Sequence, residues 1–166
     1  MNTFLTELYA KYVPPWLYNH DEWQPNSGTS CWELTDVFRF YSQTLHHPVE
    51  VPTGFRFDKA TVPSLPFMYA EFGDRFLRAA CGHDYLCRSR MVPRPTADLV
   101  FLELMRAEIA EELDAMRRAG ADEDSIQDVS KRLEGRALLM YAAVSAYTTS
   151  GLWKTDVDKP GYEPVE

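Results

Sequence analysis

The sequence predicts an α+β fold: a small N-terminal antiparallel sheet packed on three helices, with irregular N- and C-terminal arms. Two observations carry this. Between residues 31 and 57, apolar side chains such as Val49, Val51, Phe55 and Phe57 alternate with polar ones, the two-residue period of half-buried strands. From Tyr69 onward the apolar spacing changes to three and four, the period of amphipathic helices, and it holds to about Ser150.

The elements follow in order. Phe4 to Tyr12 reads as a short amphipathic helix stopped by Pro14-Pro15. Trp16, Tyr18 and Trp23 then sit among turn-forming and polar residues, so residues 1–30 form an arm whose aromatics pin it to its own core or to a partner. Trp32, Leu34, Val37, Phe38 and Phe40 fit one strand with a bulge, and Thr44 to Pro48 a turn. Pro52 and Gly54 interrupt the next run, where a left-handed Gly54 lets the chain bend. A sheet of two to four strands is the expected product. Phe72, Phe76, Leu77, Ala80, Tyr85 and Leu86 give the first helical stripe. After Pro93, Pro95 suits the first turn of a helix over Thr96–Arg118, with Leu99, Phe101, Leu102, Met105, Ile109, Leu113 and Met116 as its apolar stripe. Gly120 ends it. Asp122, Glu123 and Asp124 lie at the start of the third helix, where acids suit the dipole. Val129, Leu133, Leu138, Leu139, Tyr141, Val144 and Tyr147 line that helix, and Gly151 closes it. Residues 31–155 are read as one domain and residues 156–166 as a flexible tail.

The chain has 166 residues, of which 45% are hydrophobic and 13% aromatic, enough to bury a core. Its net charge of −8 argues against a general nucleic-acid binder, which needs a basic face to displace counterions. Arg75, Arg78, Arg88, Arg90 and Arg94 are a local exception, either an anion site or helix-face partners of acids. No apolar run reaches the ~20 residues of a membrane span, and Met1 to Glu7 has no basic stretch of a signal peptide. The three cysteines, Cys31, Cys81 and Cys87, are read as reduced thiols. No Cys-x-x-Cys pair or His-rich spacing signals zinc. His46 and His47 are adjacent on strand or turn, so they point apart and cannot share an ion.

The run Ala79-Ala80-Cys81-Gly82-His83-Asp84-Tyr85-Leu86-Cys87-Arg88 carries most of the chemistry. His83 is followed by Asp84, and Asp98 comes fifteen residues later at the start of the next helix. An imidazole with two carboxylates within reach acts as a general base, binds a metal, or forms a buried structural network. The proline loop between lets the second helix fold back, which predicts a His83–Asp98 hydrogen bond. His83 and Cys87 are one helical turn apart and can touch, a weak signal for a thiol nucleophile. Arg88 and Arg90 either bind a phosphate or partner carboxylate or neutralise Asp84 and Asp98. Asp58 and Thr61 would lie over the His83 helix, with Asp58 capping its own turn or facing Asp84 across a cation.

Four ordered motifs carry a resemblance. Pro52 to Pro63 resembles a P-x-G-F-x-x-D-x-A-S/T-x-P signature, and Ala79 to Cys87 an A-A-x-x-H-D-x-L-Y run, with Cys87 where Tyr is usual. Ala97-Asp98-Leu99-Val100-Phe101 with Met105 is similar to an A-D-x-x-F helix start, and Ala143-Val144 with Gly151-Leu152-Trp153 to an A-V then G-x-W ending. Over about residues 31–153 the chain thus resembles a small phage and prophage family known as domain of unknown function 1353. The resemblance implies a phage-encoded accessory or virion-associated protein, located in the host cytoplasm or the virion. Such a protein acts by protein–protein contact with a phage structural protein, a host protein or further copies of itself.

A second resemblance concerns chemistry alone. The His-Asp pair with an acid on the next helix is similar to bacterial phospholipase A2. It implies a hydrolase, lipid- or cell-wall-directed, with His83 as base and Asp98 orienting it. Asp84, with Asp58, would hold a divalent cation such as calcium. The glycine-rich calcium loop of that family is missing before His83.

Overall fold

Five short strands and three helices follow one another along residues 3–14, 31–58 and 75–151, the part of the chain described in a computed structural model. Strands β1 (Ala10–Val13), β2 (Cys31–Leu34) and β5 (Arg56–Asp58) form one antiparallel sheet in the order β1-β2-β5. Strands β3 (Phe38–Ser42) and β4 (His47–Val51) form a separate two-stranded sheet, with Phe40 opposite Val49. The α+β class is as expected; two sheets stand where one was expected. The 32–40 stretch splits because the chain bends at Thr35-Asp36, where the Asp36 carboxylate accepts from the Val37 N–H at 2.7 Å.

No helix forms over Phe4–Tyr12. The open edge of β3 needs partners for its backbone groups, and this segment supplies them. Phe4 makes an isolated bridge to Phe40, Tyr41 N–H donates to the Thr3 carbonyl at 2.8 Å, and Leu5 N–H donates to the Arg39 carbonyl at 3.0 Å. Tertiary pairing has overridden a weak local helix preference. Gly54 adopts φ 84° as expected in the turn between β4 and β5, which Phe55 N–H closes onto the Pro52 carbonyl at 3.2 Å; the Gly54 N–H ties that turn to β2 through the Leu34 carbonyl at 2.8 Å.

The helices are α1 (Leu77–Ser89), α2 (Arg94–Arg118) and α3 (Glu123–Ser150). Pro95 lies in the first turn of α2, Gly120 takes φ 80° after it, and the Asp122 carboxylate caps α3 through Ser125 N–H at 2.8 Å. Helix α2 is central, packing on α1 and α3. Inward it presents Ala97, Val100, Phe101, Leu104 and Met105, which meet Phe38, Phe40 and Phe57 from the sheets and Leu133 and Met140 from α3. Three residues assigned to the buried stripes face outward instead: Leu99 is 46% exposed, Leu138 44% and Leu139 48%. On α3 the buried line runs Ile126, Leu133, Ala137, Met140, Val144, Thr148, one position out of phase with the larger leucines. Small and polar residues occupy core positions, and apolar periodicity alone misplaces the face.

Gly82 sets the spacing of this core. A Cβ there would lie 2.7 Å from Leu104 Cδ1 and 3.1 Å from Phe40 Cε1. The bare glycine lets α1 approach α2 and β3 this closely without displacing Leu104 or Phe40, and this brings His83 onto the α1–α2 seam.

Trp16, Tyr18, Trp23, Thr61, Trp153, the Asp58 side chain and the 156–166 tail lie outside the described residues. Among the described residues no helix is long and apolar enough to cross a membrane.

Candidate functional site

His83 projects from α1 toward α2, where Asp98 sits just past the first turn. His83 Nε2 and Asp98 Oδ1 are 2.8 Å apart, the hydrogen bond the spacing predicts. The other Asp98 oxygen accepts from Thr148 Oγ1 of α3 at 2.7 Å. Both carboxylate oxygens are therefore used, and three helices meet at one side chain. His83 is 4% exposed, Asp98 1% and Thr148 8%. The Phe101 ring lies 4.8 Å from the imidazole and seals it from one side. Thr148 carried no sequence signal beyond being polar on a helix that packs through an apolar line.

Cys87, one turn after His83, places Sγ 3.5 Å from the same Nε2. A thiol–imidazole–carboxylate triad needs its two ring nitrogens for two tasks, one on the nucleophile and one on the orienting acid. Here Sγ and Oδ1 converge on one nitrogen, so these three groups do not line up as nucleophile, base and orienter. The second nitrogen, Nδ1, lies 4.0 Å from Asp84 Oδ1. Burial pulls the His83 pKa down, but the Cys87 sulfur, the Asp98 hydrogen bond and the Asp84 carboxylate together raise it to about 10. Burial, with help from Asp84, pushes the Cys81 thiol well up, so Cys81 is an inert core residue.

His83, Cys87 and Asp98 have ligand atoms within 4.8 Å of one another. The converging donors are one nitrogen, one sulfur and one oxygen. Calcium takes six to eight oxygens, so this set does not fit it; nitrogen–sulfur–oxygen sets suit zinc-class ions. Asp84, assigned to the metal from sequence, is not part of the converging group; Cys87 takes that place.

Three of the five arginines, Arg75, Arg78 and Arg88, are held locally. Arg75 forks onto Glu112 at 2.8 and 3.0 Å, and Arg78 lies 3.8 Å from Glu108 and reaches Glu111. Arg88 donates to the Arg56 carbonyl and lies over the Phe55 ring, 4.6 Å from its centroid, so it pins β5 to α1. Arg90 takes φ 54° at the end of α1 and is exposed. These contacts favour the ion-pair and packing reading over an anion site.

A cleft of about 540 Å³ opens elsewhere, between the N-terminal segment, α1 and α2, walled by Glu7, Leu8, Arg75, Arg78, Glu108 and Glu111 among others. His83, Cys87 and Asp98 are not in its walls. Glu108 accepts the Ala79 N–H at 2.9 Å, acting as the cap that α1 lacks locally. Burial raises its pKa to about 7, against the lowering by the Ala79 N–H and Arg78; Glu111 adds to the rise. A raised carboxyl pKa stabilises the fold fully below pH ~4.5 and loses that contribution as pH rises through about 7. Arg75 just before α1, Arg78 from α1, Glu111 and Glu112 from α2 and Glu7 from the N-terminal segment face it. The stability of the wild type minus that of Glu108→Gln is expected to fall by up to about 3 kcal/mol between pH 4.5 and 8. Urea unfolding at several pH values measures this, and a pH-independent difference would contradict it.

Residues 32–120, more than half of the chain, match the family described as protein of unknown function DUF1353. The chain belongs to that family. No curated protein and no solved structure matches it. The family match spans β2 to the end of α2 and so includes His83, Cys87 and Asp98, while Thr148 lies beyond it.

Proposed function

We propose that this chain is a phage-encoded accessory or virion-associated protein that works by binding protein, in the first instance a second copy of itself, through the outer face of α3. The supporting observation is the solvent-facing side of that helix. No residue from Ala137 to Gly151 is charged. Leu138 and Leu139 are among the most exposed large apolar residues, and Gly135, Ala142 and Ala146 continue their stripe at helical spacing. An uncharged stretch of helix surface with exposed leucines marks a contact face.

The occupant follows from charge and shape. The stripe from Gly135 to Thr149 is centred on Ala142, so two copies can pair antiparallel with Ala142 on the dyad. Small residues at the centre allow close approach of the helices. On that register the exposed Lys131 and Arg132 of each copy lie just beyond the end of the other α3, within side-chain reach of its carbonyl groups, and the last turn there contains no basic residue of its own. The phage setting rests on the motif resemblance. The hydrolase alternative is less well supported: with Nε2 bonded to Asp98 the base would be Nδ1, yet His83 is 4% exposed and has no part in the walls of the cleft beside Glu108.

Sedimentation equilibrium tests the reading. The wild type is expected to be dimeric at tens of micromolar and Leu139→Glu monomeric and folded. A wild-type monomer at that concentration, or a dimer untouched by Leu139→Glu, overturns it.

A further inference from the structure

We infer that His83, Cys87 and Asp98 form a binding site for a zinc-class divalent cation, tying α1 to α2. The inference is independent of the dimer. His83 and Cys87 stand one turn apart on α1, so their side chains project from one face. Asp98 completes the set from the start of α2.

Two of the three separations lie near those of a tetrahedral ion, and the third, from Sγ to Oδ1, is within 4.8 Å, so binding draws these two atoms together. With bonds of about 2.0–2.3 Å, neighbouring ligand atoms in such a site lie roughly 3.3–3.8 Å apart. Nε2 and Sγ are already 3.5 Å apart. Nε2 and Oδ1, at 2.8 Å, need open by only about half an ångström, replacing a shared proton by the ion. The convergence of two groups on one nitrogen, which defeats a catalytic triad, is what a metal requires of its ligands. Thr148 Oγ1 holds the second Asp98 oxygen at 2.7 Å, an outer contact that orients the carboxylate. Cys87 is only half-buried while His83 and Asp98 are closed off, so the ion enters past Cys87. Three protein ligands leave a fourth position for water. Binding ionises the thiol and releases the proton between His83 and Asp98, so up to two protons leave per ion; the two negative ligands neutralise the ion's charge. The sequence hid the site because it joins His-x-x-x-Cys to a distant Asp and uses no paired-cysteine spacing.

The test is titration of the full chain, reduced and chelator-treated, with cobalt(II) and then zinc. One cobalt per chain is expected, with the intense visible bands of tetrahedral coordination and a thiolate-to-metal band in the near ultraviolet. Zinc should displace it and raise the melting temperature. Cys87→Ser should remove the thiolate band, and Thr148→Val should weaken zinc binding by about 10–100-fold. Cys31→Ser, a separate thiol on β2, should bind as the wild type does. Calcium should neither compete nor stabilise. Absence of stoichiometric cobalt binding, or a thiolate band that survives in Cys87→Ser, overturns the site. Should Cys87→Ser fail to fold, alkylation of Cys87 in the wild type replaces it, with zinc protection expected and equal labelling with or without zinc contradicting the proposal.

Discussion

Asp98→Ala is expected to cost about 3–5 kcal/mol of folding stability, the largest effect of any single polar substitution considered in this chain. The reason is what the substitution leaves behind. Asp98 is 1% exposed and serves His83 through one oxygen and Thr148 through the other. Without it, a buried imidazole that favours its charged form loses its nearest hydrogen-bonded carboxylate, and the Thr148 hydroxyl loses its acceptor. Asp98→Asn keeps the shape and one acceptor oxygen, so it should cost distinctly less. Urea unfolding of both variants, with chelator present to keep any metal out, makes the comparison. A loss below about 1 kcal/mol for Asp98→Ala would mean that the three helices are not tied at this residue.

Phe40→Ala should cost about 3–5 kcal/mol as well, for an apolar reason. Phe40 is fully buried, lies 5.7 Å from Phe38 between ring centroids, and presses on the bare backbone of Gly82. Its removal leaves a cavity between β3 and α1. The same contact predicts non-additivity. In the wild type, Gly82→Ala gains helix propensity but drives a methyl into Leu104 and Phe40, and overpacking of about 1–3 kcal/mol outweighs the gain. With Phe40 already truncated, part of that clash is gone, so Gly82→Ala should be less harmful or even favourable. A double-mutant cycle with no coupling between the two positions would contradict this packing.

Much of this architecture is legible in the sequence, and the failures have identifiable causes. The helices were readable because proline, glycine and capping acids mark their ends: Pro95 opens α2, Gly120 follows it, Asp122 caps α3 and Gly151 ends it. The His83–Asp98 bond was readable because the short Pro93 loop folds α2 back along α1. The N-terminal segment was not, since its conformation depends on the free edge of β3, a partner more than thirty residues away. Nor were the roles of Thr148, Cys87 and Gly82. A lone threonine in an apolar line, a cysteine one turn after a histidine and a glycine inside a helix acquire meaning only from what the fold sets opposite them. Leu138 and Leu139 were misassigned for a related reason: strong apolar residues on α3 face away from the core, and the weaker Ala137, Val144 and Thr148 face in.

That outward face carries the proposed function, and a cysteine at its centre tests it most directly. On the antiparallel arrangement, Ala142 of one copy lies against Ala142 of the other, so Ala142→Cys should form an intermolecular disulfide on mild oxidation. Made in the otherwise native chain, it should give a dimer band on a non-reducing gel that dithiothreitol removes, while Asp128→Cys, displaced from the dyad along the same face, should give none. Failure of Ala142→Cys to cross-link at tens of micromolar, or equal cross-linking by Asp128→Cys, would contradict pairing through α3.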